Sequence, residues 1–528
     1  LSRSGFTPDI NFANPVLSGV KPDLRNPSLP QKPNSIMKLP FSEKVGYALG
    51  DVATNFFFQS MILYQNRFYT DTVGLSPAVI SVMFLVVRLA DACFDPIIGA
   101  LSDRTKTRWG KFRPWVLWTA IPFGATFWLV YVVPNVGPQG KIVYAYVTYV
   151  LLMILYSANN TPYSALMGVM TPDGSERANI ARYRFVAAIF GQFVIQSMAL
   201  PLVDKFGGGN DAHGWAVTMG IFATIMVVCN FIVFSTTKER VLPNPEQKPS
   251  LKEDIRNVFS CKPWLAMFIL TLTVFTMLVV RGTCLFYFFS YYLDPSAIGD
   301  FLRGWGLTAP TSGEVSGLRT ILTEKWFNLL VRPDLSNAVA VGFSFFNDLG
   351  SIVQLLFIPL SKPLADRFGK KAVFLTGASV TMLATMGFFL ISPTDLNLMF
   401  WVSVLWSAGW GPTIPLLWVM IADVADYSEW QTSRRATGFM FAGILFALKA
   451  GLGLGGAVAN WIIGGYGYVA NAKQTEHALL GIRLGASFYP AIMLLIVLIC
   501  LFAYPITKSL NQQVERELAE RRKKFAPA

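Results

Sequence analysis

The sequence predicts an all-α polytopic membrane protein, with twelve transmembrane helices arranged as two six-helix halves. Three observations point there. Of 528 residues, 53% are hydrophobic and only 14% are charged, where a soluble domain carries about 25% charge. About twelve apolar runs reach the length needed to cross a bilayer. Basic residues also gather in every second connection between those runs.

The expected spans are 43–68, 76–100, 114–134, 141–168, 181–203 and 214–235, then 263–292, 337–360, 372–392, 397–421, 437–465 and 484–506. Connections after even-numbered spans are basic: Arg104, Lys106, Arg108, Lys111 and Arg113, then Lys362, Arg367, Lys370 and Lys371. Short connections after odd-numbered spans hold few cations, such as Arg67, Lys141 and Lys205. The positive-inside rule therefore puts both termini in the cytoplasm. The expected organisation is a cytoplasmic polar segment 1–40, an N-terminal half 41–236, a cytoplasmic linker 237–262, a C-terminal half 263–507 and a charged cytoplasmic tail 508–528. An external insertion, 293–336, interrupts the second half, with short amphipathic helices expected in it.

Composition also excludes functions. A net charge of +13 suggests nucleic acid, but the cations sit in short loops between apolar runs, with no separate basic domain. The five cysteines are scattered without a CxxC pair, and only His213 and His477 are present, so neither a disulfide framework nor a zinc site is expected. No HExxH and no nucleotide-binding loop occurs, so no enzyme is expected.

Two segments repeat. "LSDRTKTRWGK" after the second span and "LADRFGKK" after the eighth occupy equivalent places in the two halves. Parallel halves of this kind rock about a central site in transporters. Gly99, Asp103, Arg104, Asp366 and Arg367 are thus expected to form a pair of gating loops; the plainer reading is a pair of topology anchors.

Ionisable residues within the spans are costly and mark functional sites. They are Asp51, Arg88, Asp91, Asp95, Arg184, Arg281, Asp348 and Lys449. Asp91 and Asp95 stand one helical turn apart, about 6 Å, so their mutual repulsion is about 2–3 kcal/mol. Both cannot be ionised and empty: one holds a proton, pairs with a base such as Lys449 or Arg88, or binds a cation. A static salt-bridge cluster is the bland alternative. The Asp95-Pro96 step is expected to place the pair at a helix irregularity. Asp51 and Asn55 share a face of span one, and Asn159 and Asn160 precede Pro162 in span four. Amides and carboxylates suit sugar hydroxyls, which need donors and acceptors, and equally suit interhelical hydrogen bonds.

"GYALGDVATN", "FYTD", "RLADACFDPIIGALSDRTKTRWGKFRPW", "YSANNTPYSALMGVMTPDGSERANIARYRFVAA" and "MIADVADYSEWQTSRRATGFMFAG" resemble the glycoside–pentoside–hexuronide:cation symporters of the major facilitator superfamily. The resemblance runs from Glu43 to Leu510 without the insertion. It implies the major facilitator fold and secondary active symport of a small-molecule sugar or glycoside with H⁺ or Na⁺, without any other cofactor. It further implies a monomeric, multi-pass protein of the plasma (inner) membrane. By the same resemblance Asp91, Asp95, Ser157 and Lys449 serve the cation, with Asp91 and Asp95 as metal ligands where the ion is sodium. By the resemblance Arg184 and Lys449 lie at the sugar site and Asn55 and Asn160 occupy its sugar-holding positions; Asp51, on the same face as Asn55, is read as a further substrate residue. Asn55 and Asn160 stand where melibiose permease has carboxylates, which speaks against a galactoside. Phe94 replaces an asparagine near its sodium site, which favours a proton.

Arg281 has no counterpart in melibiose permease. It is read either as a receptor for a substrate carboxylate or sulfonate, as in a hexuronide or a sulfonated sugar, or as neutralised by Asp348. Three rivals remain at this level: a lipid or amphiphile carrier of the same fold, a membrane-embedded enzyme, and a sugar sensor that does not transport.

Overall fold

The computed structural model describes residues 39–171, 174–240, 260–308, 329–432 and 437–525, without the side chains of a few helical residues, Asp103 among them. Residues 1–38 of the N-terminal segment, 241–259 of the linker and 309–328 of the insertion lie outside the described residues.

Every regular element described is helical. The first group is α1 (Phe41–Leu63), α2 (Pro77–Arg104), α3 (Arg113–Val130), α4 (Pro138–Met170), α5 (Gly174–Gly207) and α6 (Asp211–Thr236). The second begins with α7 (Lys262–Tyr287), α8 (Pro295–Gly304), α9 (Ala338–Phe357), α10 (Ser361–Phe368) and α11 (Lys370–Gly387). It continues with α12 (Leu396–Trp410), α13 (Thr413–Thr432), α14 (Thr437–Gly465), α15 (Glu476–Ala486), α16 (Phe488–Ala503) and α17 (Lys508–Phe525).

Nine stretches among the described residues are long and apolar enough to cross a membrane. They cover nine of the expected spans, with α12 and α13 joined as one. The other three expected spans correspond to α1, α2 and α3. Helix α1 carries Asp51 with Asn55 and Gln59, and α3 is only 18 residues long and begins on Arg113, which lowers the hydropathy of both. Helix α2 spans 28 residues, and its stretch 77–94 is largely apolar, with Arg88 and Asp91 as its charges. Large apolar side chains such as Trp401, Leu390, Phe502 and Val186 are more than half exposed, as helices facing lipid require.

Local chemistry sets the helix ends. Pro77, Pro138, Pro263 and Pro295 occupy first turns, where the missing N–H costs nothing. Gly74 adopts φ +81° and turns the chain from α1 toward α2, a geometry that disfavours residues with a Cβ.

Two expectations are corrected here. Helix α2 runs unbroken from Pro77 to Arg104 through Asp95 and Pro96, so no irregularity marks the acid pair. A membrane helix tolerates the single lost donor of a proline when its surroundings re-satisfy the backbone. The "SDR" and "ADR" segments are not loops either: Asp103 and Arg104 end α2, and Asp366 and Arg367 end α10.

The decisive packing feature is "GLGLGG", 451–456, in α14. A Cβ on Gly453 or Gly456 would collide with Arg88 and Phe84 of α2. On Gly451 or Gly455 it would collide with the backbone of α7 at Leu272 and Thr276. Small residues at this spacing let helices approach backbone to backbone. Helix α14 is thereby wedged between α2 and α7, which brings Lys449 beside the acids of α2.

Candidate functional site

The Lys449 ammonium lies 2.6 Å from Asp95 Oδ2 and 3.1 Å from Asp91 Oδ2. It also donates to Ser157 Oγ at 3.2 Å. The Ser157 hydroxyl donates to Asp91 Oδ1 at 2.7 Å, and Thr161 donates to Asp95 Oδ1 at 3.3 Å. Asp91 is fully buried. Of the alternatives open to the pair, this conformation takes the base: a lysine from α14 stands between two carboxylates of α2. Arg88 is turned aside and donates from Nε to the Tyr149 hydroxyl at 2.8 Å.

A second charge cluster lies on α1 and α5. Arg184 clamps Asp51 through two contacts, Nε to Oδ2 at 2.7 Å and Nη2 to Oδ1 at 2.9 Å. Tyr163 donates to the same Oδ2 at 2.6 Å. The guanidinium also lies over the Tyr163 ring, 5.0 Å from its centroid. Asp51 is thus saturated by its own surroundings.

A cavity of about 640 Å³ opens between α1, α5, α7, α9, α12, α13 and α14. Of the sequence-predicted substrate residues, Asp51, Asn55 and Arg281 line it, whereas Asn160, Arg184 and Lys449 do not. Asn160 donates to the Tyr156 hydroxyl at 3.2 Å, and the Tyr156 ring lies 5.6 Å from the Lys449 ammonium. Its neighbour Asn159 is spent on Thr119 and Asn230 between helices.

Arg281 is only 8% exposed, and neither its Nε nor its Nη2 has a hydrogen-bond partner. Its guanidinium lies 3.9 Å from the Trp406 ring centroid and 5.2 Å from that of Phe388. Neutralisation by Asp348 does not occur: among the described residues no ion pair joins them. Asp348 meets Ser197 of α5 instead, at 2.6 Å.

Sequence reasoning missed most of the polar lining. Gln59, Gln192, Gln196, Asn347 and Gln354 face the cavity with Trp406 and Trp410. Intramembrane amides, which are costly in lipid, were the available signal.

The two ends of the bundle differ. At the end where α1 finishes, Asn66 and Thr70 meet the Tyr287 hydroxyl at 3.0 and 2.8 Å. Tyr468 and Tyr291 donate to Asp71 at 2.7 and 3.3 Å, and Asn460 donates to Asn66 at 2.7 Å. These bonds tie residues 66–71 to residues 287–471. At the opposite end, bonds stay within one side: Lys44 to Glu176, Arg240 to Glu43, and the backbone at 111–113 to Glu239. There, among the described residues, no hydrogen bond or ion pair joins residues 41–240 to residues 260–525. The cavity is closed at the first end. Asp366 and Arg367 of the expected gate meet Lys508 through their carbonyls; Gly99 lies beside Thr161.

Comparison with known proteins decides the family. The family described as MFS/sugar transport protein matches residues 46–309 and 336–508. The inner membrane symporter YicJ of Escherichia coli is 33% identical over 485 residues, 91% of this chain and 95% of its own.

The chain is a sugar:cation symporter of the major facilitator superfamily.

Within the glycoside–pentoside–hexuronide group, this symporter also resembles the isoprimeverose transporter of Lactiplantibacillus pentosus, 32% identical over 89% of this chain and 90% of that one. It is 30% identical to the glucuronide carrier protein homolog of E. coli over 91% and 95% of the two chains. The solved nucleoside transporter NupG shares the fold, with a TM-score of 0.56 at 11% identity over 88% of this chain and 99% of its own. The symporter is an integral membrane protein and not an enzyme, its cargo is a sugar, and its coupling partner is a cation.

Proposed function

We propose that the symporter works by alternating access, with Asp91, Asp95, Ser157 and Lys449 as coupling site and the cavity beside Arg281 as sugar site. The observation that carries this reading is the placement of Lys449. A cation arriving at the acid pair must displace the ammonium or neutralise one carboxylate, and the freed lysine is then available to Tyr156 and Asn160. Two ligands that each favour one arrangement shift the equilibrium together.

A proton fits this cluster better than sodium. A sodium ion needs several oxygens at once, and Asp91, Asp95, Ser157 and Thr161 already spend theirs on Lys449 and one another. A proton needs one basic oxygen.

The two moving halves would be residues 41–236 and 263–507. The basic ends of α2 and α10 would lie at the cytoplasmic face of the plasma membrane with both termini. The end closed by Asp71 would then be the outer one, and the protein, working as a monomer, would here open toward the cytoplasm. Gly99, Asp103, Arg104, Asp366 and Arg367 would control that inner face. The amide-bearing wall speaks for a hydroxyl-rich cargo over an amphiphile.

The test is uptake into proteoliposomes over a panel of sugars, with a pH gradient and with a sodium gradient applied separately. Accumulation driven by the pH gradient alone is expected. Accumulation that requires sodium overturns the proton, and facilitated equilibration with neither gradient overturns coupling.

A further inference from the structure

We infer that the seam between α5 and α9 holds a second proton-binding site, apart from the Lys449 cluster: Asp348 carries a proton, donates it to Ser197, and holds the outer end shut only in that form.

The number of hydrogens available decides this. Ser197 Oγ lies 2.9 Å from the Phe193 carbonyl oxygen and 2.6 Å from Asp348 Oδ2. A serine hydroxyl has one hydrogen to give. Both contacts are hydrogen bonds only when Asp348 brings a hydrogen of its own. The serine then donates back along its own helix and accepts from the acid. Ser157 shows the opposite case. It accepts from Lys449 at 3.2 Å and donates to Asp91 at 2.7 Å, so one hydrogen suffices and Asp91 needs none.

The surroundings of Asp348 agree. Its second oxygen, Oδ1, is shut off from solvent and has no hydrogen-bond partner. No charged side chain acts on the acid. Tyr64 of α1 donates to the Gln196 carbonyl at 3.3 Å, Arg67 lies over the Phe286 ring and Arg281 over Trp406. Asp204 of α5 pairs with Arg332, Asp300 of α8 pairs with Arg303, and α12 has no ionisable residue. A buried carboxyl group without a cation gives up its charge.

Position adds the direction of exchange. Helix α5 runs alongside α1, with Glu176 beside Lys44, Arg184 beside Asp51 and the Gln196 carbonyl beside Tyr64. Ser197 therefore lies toward the end closed by Asp71. Ser351, nearly one turn along α9 from Asp348, lines the cavity and bonds to Gln196 at 2.9 Å and Gln192 at 3.4 Å. Asp348 and Ser197 stay outside the lining. On the proposed alternating access, opening toward the cytoplasm leaves the acid dry and its proton in place. Parting of α5 and α9 at the outer end wets it: the O–H bond breaks, the proton passes to outside water, and the carboxylate left behind resists return to the seam. Outside acid thus favours a closed outer end.

The first test is the infrared spectrum of the full-length protein at neutral pH, where a protonated carboxyl group has a C=O band distinct from that of carboxylates. Asp348→Asn should remove one such band, and Ser197→Ala, which keeps the acid, should shift it. An unchanged carboxyl region in D348N overturns the inference. Where D348N does not fold, S197A decides, and a band that stays in place overturns it.

The second test is labelling of a cysteine introduced at the closed end. Acidification should slow it in the unaltered protein, by at most about tenfold per pH unit for one proton. In D348N, whose amide is neutral at every pH, that dependence should be lost; a pH profile identical in the two proteins overturns the inference. The infrared band is read without gradient or cargo, which separates the site from the mechanism. Gradient-driven uptake lost with the band present removes the coupling and keeps the site. Uptake intact with the band absent removes the site and keeps the coupling.

Discussion

The charges that pair within residues 41–240 and those that meet across to residues 260–507 are satisfied in different ways. In the first set, Asp51 has Arg184, Glu43 has Arg240 and Glu176 has Lys44, all close partners from the same side. In the second, membrane-embedded groups of the two sides face one another. Lys449 pairs with Asp91 and Asp95 of α2, Asp348 meets Ser197 of α5, and Arg281 faces the cavity. Partners within one side can move as a rigid unit. Partners across the seam must separate or exchange whenever the sides part. On the proposed mechanism, the first group would serve stability and the second transport.

The largest expected effect tests the seam directly. Asp95→Asn should abolish ion-driven accumulation while sparing exchange, measured as uphill uptake against counterflow in proteoliposomes; normal uphill uptake would break the comparison.

Next is the contrast inside one side. Asp51→Ala leaves Arg184 as an uncompensated buried charge and should cost about 3–5 kcal/mol of stability, read as a lower Tm in detergent. The double variant D51A/R184A should recover much of that loss. A D51A protein of unchanged Tm that has merely lost transport would move Asp51 to the other group.

Tyr468→Phe removes one cross-seam bond to a charged acceptor at the closed end. It should shift the conformational equilibrium toward opening of that end by about tenfold, visible as faster labelling of a cysteine introduced there, with Tm little changed.

The smallest effect concerns Glu176. The Lys44 ammonium that hydrogen-bonds it holds its carboxyl below the usual carboxylate range. A depressed folded-state value means stability that is present above the unfolded-state pKa and lost as pH falls through the folded one. Acidification should therefore lower the Tm of the unaltered protein slightly more than that of Glu176→Gln.

Much of this was legible in the sequence because membrane folding has strict rules. Apolar run length predicted helices at all twelve expected span positions, and the price of a charge in lipid singled out Asp91, Asp95, Arg184, Arg281 and Lys449 before any geometry was known. Partner choice was not legible. Arg281 and Asp348 are neighbours in span order, yet they end on different surfaces, because helix rotation is set by packing such as that of Gly451 to Gly456. The cavity amides were missed because spacing such as that of Gln192 and Gln196 on α5, or Asn347 and Gln354 on α9, shows which residues share a helix face but not that faces of different helices converge. The Asp95-Pro96 step misled because a proline in a long membrane helix removes one donor without stopping the helix.

The Lys449 ammonium between Asp91 and Asp95 reaches beyond partner choice. With both acids ionised, the three groups together carry one negative charge, and a monovalent cation arriving there would bring the cluster to neutrality. A potential acts with about 2.3 kcal/mol per charge per 100 mV, so on the proposed mechanism the empty and the loaded carrier would feel the membrane potential differently.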